Sequence, residues 1–171
     1  MDIGSGKGYP ASSLSNFCPH KFTLDGVEIS SFEGFLQSLK FKSTEMQEYV
    51  CTLVGYAAKK KGRNKNWKQS QILYWREVEI KRSSQEYQNL LDRAFTELYK
   101  NTKFKAALEA SNNSVLTHSM GKSKESETVL TVREFCSRLT KLRDFGTLQE
   151  PKDRFTRFKG TSLFPDNKKL F

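Results

Sequence analysis

The sequence predicts an α+β fold, mostly helical, in a single domain with short N-terminal strands and a hairpin. Three observations carry this. Helix-capping signals followed by apolar residues at helical spacing recur along the chain. Two short runs of strand-forming residues flank tight turns. No internal repeat or low-complexity tract divides the 171 residues.

In chain order, Gly4 to Asp25 is rich in Gly, Ser and Pro and reads as loops with short strands. Phe22-Thr-Leu-Asp-Gly-Val-Glu-Ile29 reads as two strands around an Asp25-Gly26 turn. Ser30-Ser-Phe-Glu33 has the capping-box pattern and predicts a helix to about Lys42. Thr44-Glu-Met-Gln47 repeats the signal. It predicts a second helix to Gly62, with Met46, Tyr49, Val50, Leu53 and Ala57 on one face. Ile72-Leu-Tyr-Trp75 and Val78-Glu-Ile80 predict a hairpin. Ser83-Ser-Gln-Glu86 opens a long helix to about Ala110, striped by Leu90, Leu91, Ala94, Phe95, Leu98 and Tyr99. Thr131-Val-Arg-Glu134 opens the last helix, with Phe135, Leu139 and Leu142 inward. The domain thus spans 1–143. Residues 144–171 hold five of the 13 Phe and two of the four Pro without helical period. They read as an extended tail that wraps the domain or docks on a partner, with wrapping favoured because free Phe would invite aggregation.

Composition narrows the function. No apolar run approaches the roughly 20 residues that span a bilayer, and the N-terminus lacks the apolar core of a signal peptide. A cytoplasmic protein without a membrane partner is expected. The formal charge of +10 attracts polyanions such as nucleotides, DNA or RNA. Cys18, Cys51 and Cys136 are widely spaced, with only His20 and His118 beside them, so neither a metal site nor a cofactor is expected.

The first helix carries the most chemistry. Glu33, Gln37 and Lys40 follow at i, i+4 and i+7 on one face, while Phe32, Phe35, Leu36 and Leu39 anchor a neighbouring face. Seven residues at ~1.5 Å rise separate Glu33 and Lys40 by roughly 10 Å along the axis, within reach of one small ligand. Glu33 is equally the third residue of a capping box, and a polar stripe is equally a solvated face. Lys59-Lys-Lys-Gly-Arg-Asn-Lys-Asn-Trp-Lys68 holds six positive charges and no acid around Trp67, which suits phosphates beside a stacked base or a plain cationic helix end. Gly4-Ser-Gly-Lys-Gly8 and Thr117-His-Ser-Met-Gly-Lys122 each offer backbone N–H groups and a Lys, but neither is a P-loop.

These pieces together resemble the NADAR family, also called YbiA-like, whose members are N-glycosidases acting on ribosyl and ADP-ribosyl compounds. The resemblance runs through Leu14-Ser-Asn-Phe17, Phe22-Thr-Leu-Asp-Gly26, Ser31-Phe-Glu-Gly-Phe-Leu-Gln-Ser-Leu-Lys-Phe41, Gly62-Arg63, Lys103-Phe104 and Leu139-Thr-Lys-Leu-Arg143. The segment around Trp75 and the stretch from Leu116 to Phe135 look like a phage-encoded branch. Gly34 stands where the family commonly has His, and the Thr117-His118 segment replaces an acidic loop.

The resemblance implies catalytic roles for Glu33 and Lys40. Glu33 would stabilise an oxocarbenium-like sugar or activate the attacking group, and Lys40 would attack the anomeric carbon to form an imine. It implies ligand contacts from Ser15, Asn16, Phe17, Gln37, Arg63, Trp67, Trp75, His118 and Lys122. The ligand is expected to be an ADP-ribose-type nucleotide or an ADP-ribosylated nucleobase, on DNA or RNA or free, in the host cytoplasm of a phage infection. Two alternatives stand beside this enzyme: a binder that sequesters an ADP-ribose-derived immune signal without turnover, and a basic nucleic-acid-binding accessory factor.

Overall fold

A computed structural model describes residues 1–150. The described residues form β1 (Phe22–Leu24), β2 (Val27–Ile29), α1 (Phe32–Ser38), α2 (Thr44–Cys51), α3 (Gly55–Gly62), α4 (Trp67–Ser70), β3 (Ile72–Trp75), β4 (Val78–Lys81), α5 (Gln85–Tyr99), α6 (Thr102–Ala110) and α7 (Val132–Phe145), with a 3-10 turn at Glu125–Glu127. The expected class, α+β and mostly helical, is the observed one. Each hairpin is a two-stranded antiparallel sheet: Leu24 faces Val27 in the first and Trp75 faces Val78 in the second. The first turns through Asp25 and Gly26, both at positive φ, 48° and 79°. That explains the Asp-Gly pair, because a two-residue turn matching strand twist needs positive φ at both central positions.

Helix α1 is the axis of the molecule. All seven of its residues are buried, between α2, α3 and β2. Its aromatic face joins α1 to β3 and α5 and, through α5, to α7. Phe32 lies 4.1 Å from Phe95 of α5 by ring centroid, Phe35 meets Trp75 edge-on, and Phe95 continues to Phe135 of α7. Such aromatic pairs add ~0.5–1.5 kcal/mol each beyond the area they bury.

Several boundaries differ from expectation. The caps of the first, second and fifth helices are Ser31, Ser43 and Ser84, each accepting from the backbone N–H three residues on. The expected starts at Ser30, Thr44 and Ser83 are each off by one. Only α7 has the full reciprocal box, between Thr131 and Glu134. Helix α1 stops at Ser38 instead of Lys42. The helix expected over 44–62 is two helices. Val54 is extended and Gly55 has a φ of 57°, so the chain turns a corner that no continuous helix contains. Tyr49 and Ala57, expected inward, face solvent, and Gln47, Val50 and Cys51 are the buried positions of α2. The helix expected over 83–110 breaks at Asn101. Its side chain caps α6 through the N–H groups of Lys103 and Phe104 and donates to the Lys21 carbonyl. Asn favours such caps over helix interiors because its amide competes for backbone groups. The last helix runs two residues past Arg143, to a Gly146 cap at φ 72°. Beyond residue 150, the expected tail lies outside the described residues. No helix among those described is long and apolar enough to cross a membrane.

Candidate functional site

The α1–α3 pair forms the floor of a cleft of about 490 Å³. Ser31 fixes the start of α1 in two directions: its hydroxyl accepts from Gly34 N and donates to Leu53 O in the corner between α2 and α3. A Cβ on Gly34 would lie 2.7 Å from that same Leu53 carbonyl and 2.9 Å from Val50 O. Glycine is therefore what lets the corner close onto α1. With Ser31 as the cap, Glu33 is the second helical residue, and its carboxylate does not reach back to the cap. Its backbone N–H donates to Asn16 O, which docks the Leu14–Phe17 loop on the cleft. Its Oε1 accepts from Gln37 Nε2 at 2.8 Å.

Gln37 is in turn pressed against α3. A Cβ on Gly62 would lie 1.8 Å from Gln37 Oε1, an atom that is buried without a hydrogen-bond partner. Lys40 rides on the turn after α1 and sends its Nζ to the Gly62 carbonyl at 3.5 Å. A carboxyl, an amide and an amine thus line up from the first helix into the cleft.

Their electrostatics are complementary. Burial pushes the Glu33 carboxyl above its usual range, against the pull of the Gln37 hydrogen bond and of Lys59 and Lys40. Burial pushes the Lys40 amine down to about 8. Glu33 opposes that shift, and Lys68 and Lys122 add to it. Around them the cleft presents Lys59, Arg63, Lys65, Lys68 and Lys122 against one further carboxylate, Glu127. That excess of positive charge in a concave site concentrates an anionic ligand.

The far wall comes from residues 118–130. His118 Nδ1 donates to Ile3 O at 2.8 Å, which fixes the ring against the N-terminal segment. The N-terminal residues bridge to this segment at Asp2 and Thr117, and Asp2 also accepts from Ser119. A fully buried Arg82 anchors the wall from behind. Its Nε donates to Thr128 O, and its two terminal nitrogens grip the Glu134 carboxylate at 3.1 and 2.6 Å. Tyr87 donates its hydroxyl to Val129 O and lies under the Arg82 guanidinium. Thr128 and Val129 both face the cleft.

The cleft brings together Ser15, Asn16, Phe17, Glu33, Gln37, Lys40, Arg63, Trp67, His118 and Lys122. It does not include Trp75. That residue is buried against Phe35 with its indole N–H on Asp25, on the core side of α1. Trp67, on the short helix α4, is the tryptophan that lines the site. Sequence reasoning gave Leu36 and Phe135 to the core and named no site role for Met120 or the Glu127–Leu130 wall, yet all of them line the cleft. Arg82 was also missed: between Lys81 and Ser83 at a strand end, nothing local marks it as buried.

Comparison with known proteins bears on the same region. Residues 8–144 match the family described as bacteriophage protein GP30.3. A 17.1 kDa protein from the Gp30–rIII intergenic region of Enterobacteria phage T4 is 37% identical over 148 residues, 84% of this chain and 97% of that protein. The NMR structure of the E. coli protein YbiA superposes with a TM-score of 0.56 at 16% identity, covering 83% of this chain and 80% of YbiA. The likeness to YbiA is one of fold.

Proposed function

This chain belongs to the bacteriophage protein GP30.3 family, and from that premise we propose that it is an N-glycosidase of the NADAR type. It would act in the infected host's cytoplasm on the bond between an ADP-ribose-type sugar and a nucleobase. The observation that carries this reading is the alignment of Glu33, Gln37 and Lys40 within a cleft rich in phosphate-binding cations. A carboxyl pushed up and an amine pushed down are both drawn toward the neutral forms that the chemistry uses.

Neutral Lys40 donates its lone pair to the anomeric carbon, and the bond to the base nitrogen breaks. Glu33 gives its proton to the departing base and takes one back from the new ammonium nitrogen. Glu33 passes that proton to the ring oxygen, which leaves as a hydroxyl while the nitrogen lone pair forms the C=N bond. Water hydrolyses that imine and restores the amine. Arg63, Lys68 and Lys122 hold phosphates, Trp67 and Phe17 stack on a ring, and Ser15 and Asn16 meet the ribose or base edge. The chemistry draws on side chains alone.

The test incubates the protein with ADP-ribosylated nucleobases and follows release of free base by chromatography. Wild type should release base, and Glu33→Gln should not. Equal rates in both would sink the proposal. A second reading, sequestration without turnover, is favoured by Gly34, where the Val50 and Leu53 carbonyls leave no room for the histidine of the resembled family. Heat-denatured protein would then give up an intact nucleotide instead of a base.

A further inference from the structure

We infer that Tyr56 and Arg63, at the rim of the cleft, form a stacking site for an unpaired base, so that the rim binds single-stranded nucleic acid. Tyr56 of α3 is 58% exposed. The Arg63 guanidinium covers its ring at 5.5 Å and reaches the phenol oxygen at 3.4 Å. Arg63 itself lines the cleft. Lys59, one turn along the same flank, also lines the cleft and sits 5.9 Å over the Phe17 ring. At about 100° per residue, Tyr56, Lys59 and Arg63 share one flank of α3, while Gly55, Ala58 and Gly62 face inward.

The opposite flank supplies a comparison within the same helix. Lys61 covers Tyr49 of α2 at 5.5 Å, and Tyr49 is 51% exposed. The two tyrosines match in exposure and in carrying a cation, but only Tyr56 is one side chain from the cleft.

An aromatic face next to cations that make no ion pair among the described residues fits a strand of nucleic acid. The cations take the phosphates, and every unpaired base offers a π-face for the ring. In a duplex both faces of each base are occupied by its neighbours, so the site fits a single strand. A nucleotide held in the cleft would then have its neighbouring base on Tyr56. This inference rests on the proposed function only in taking the cleft as a nucleotide site.

The test measures anisotropy of labelled oligothymidylate and oligouridylate, with a labelled duplex alongside, and calorimetric binding of ADP-ribose. Tyr56→Ala should weaken strand binding roughly tenfold more than it weakens ADP-ribose binding. Tyr56→Phe, which keeps the ring, should retain strand affinity, and so should Tyr49→Ala. Equal losses in Tyr56→Ala and Tyr49→Ala would overturn the inference, as would a duplex bound as tightly as the strand. ADP-ribose binding without strand binding would also overturn it and leave the proposed function standing. Tyr56-dependent strand binding without ADP-ribose binding would support it and remove the proposed function.

Discussion

Glu33 and Lys40 sit in one cleft with opposite pressures on their protons, and each makes a separate prediction. Glu33→Gln keeps the side-chain volume and should lower turnover by roughly 10²–10⁴-fold, the usual range for a positioned acid or base. The same variant should be more stable near neutral pH. The folded-state value of Glu33 lies above its ordinary 4.5, so the folded state holds the extra proton and loses stability as pH rises from there. Denaturant titrations of both proteins across pH should show that loss in wild type only. Lys40, held at about 8 against an ordinary 10.5, works in the opposite sense: between those values the unfolded state binds the extra proton, and folding gains as pH rises. Borohydride trapping of a sugar adduct on the Lys40 peptide should increase as pH is raised through about 8, because only the free amine attacks. An adduct yield flat in pH, or no adduct from an active enzyme, would exclude the imine. These two residues were legible in the sequence because residue type and helical spacing are local properties. The choice between Trp67 and Trp75 was not. It depends on which face of β3 meets α1, and Trp75 shares its face with the buried Leu73.

At the scale of elements, the contact of α1 with the α2–α3 corner is made by two glycines that differ in what they touch. Gly34→Ala would push a methyl group into two backbone carbonyls that belong to a neighbouring corner and cannot rotate away. It should cost ~1–3 kcal/mol, the range for overpacking, read as a lowered denaturation midpoint. Gly62→Ala would strike the far end of the Gln37 side chain, which can swing aside. It should spare more of the stability but release Glu33 from its hydrogen bond, so that activity falls further than the midpoint does. If Gly62→Ala loses stability and activity in equal measure, Gln37 is merely packing. The corner itself was hidden from the sequence. Thr52 to Gly55 carries no proline, and the apolar spacing runs on across it, while the break itself rests on Gly55 at positive φ and on the tertiary bond from the Ser31 hydroxyl to the Leu53 carbonyl, for which Gly34 leaves room. The break at Asn101 was readable in principle, because Asn followed by Thr inside an apolar stripe is a cap signal. The long stripe of α5 overrode it.

For the whole molecule, the Arg82–Glu134 pair ties the end of β4 and α7 to the wall at Thr128. Glu134→Ala would leave a guanidinium with no exposed surface facing only the half-exposed Glu125 carboxylate at 3.9 Å, and should cost up to the roughly 3–5 kcal/mol of a broken buried pair. Burial raises the Glu134 carboxyl, but hydrogen bonds from Arg82, Gln88 and Thr131 outweigh it and leave it below its ordinary 4.5. Its stabilisation is therefore complete above 4.5 and is lost as pH falls through the lower folded-state value. Acid unfolding followed by circular dichroism should begin at higher pH in a Gln88→Ala variant, which removes one of those hydrogen bonds. The cleft draws on residues from Gly4 to Phe135, so it forms only when that whole span is folded. Occupancy and folding are consequently one linked equilibrium. A compound that fills the cleft cannot hold the unfolded chain in the same way, and at a hundredfold excess over its Kd it adds about 2.7 kcal/mol to the folded state. The natural ligand should thus announce itself as the nucleotide that most raises the melting temperature, before any reaction is assayed.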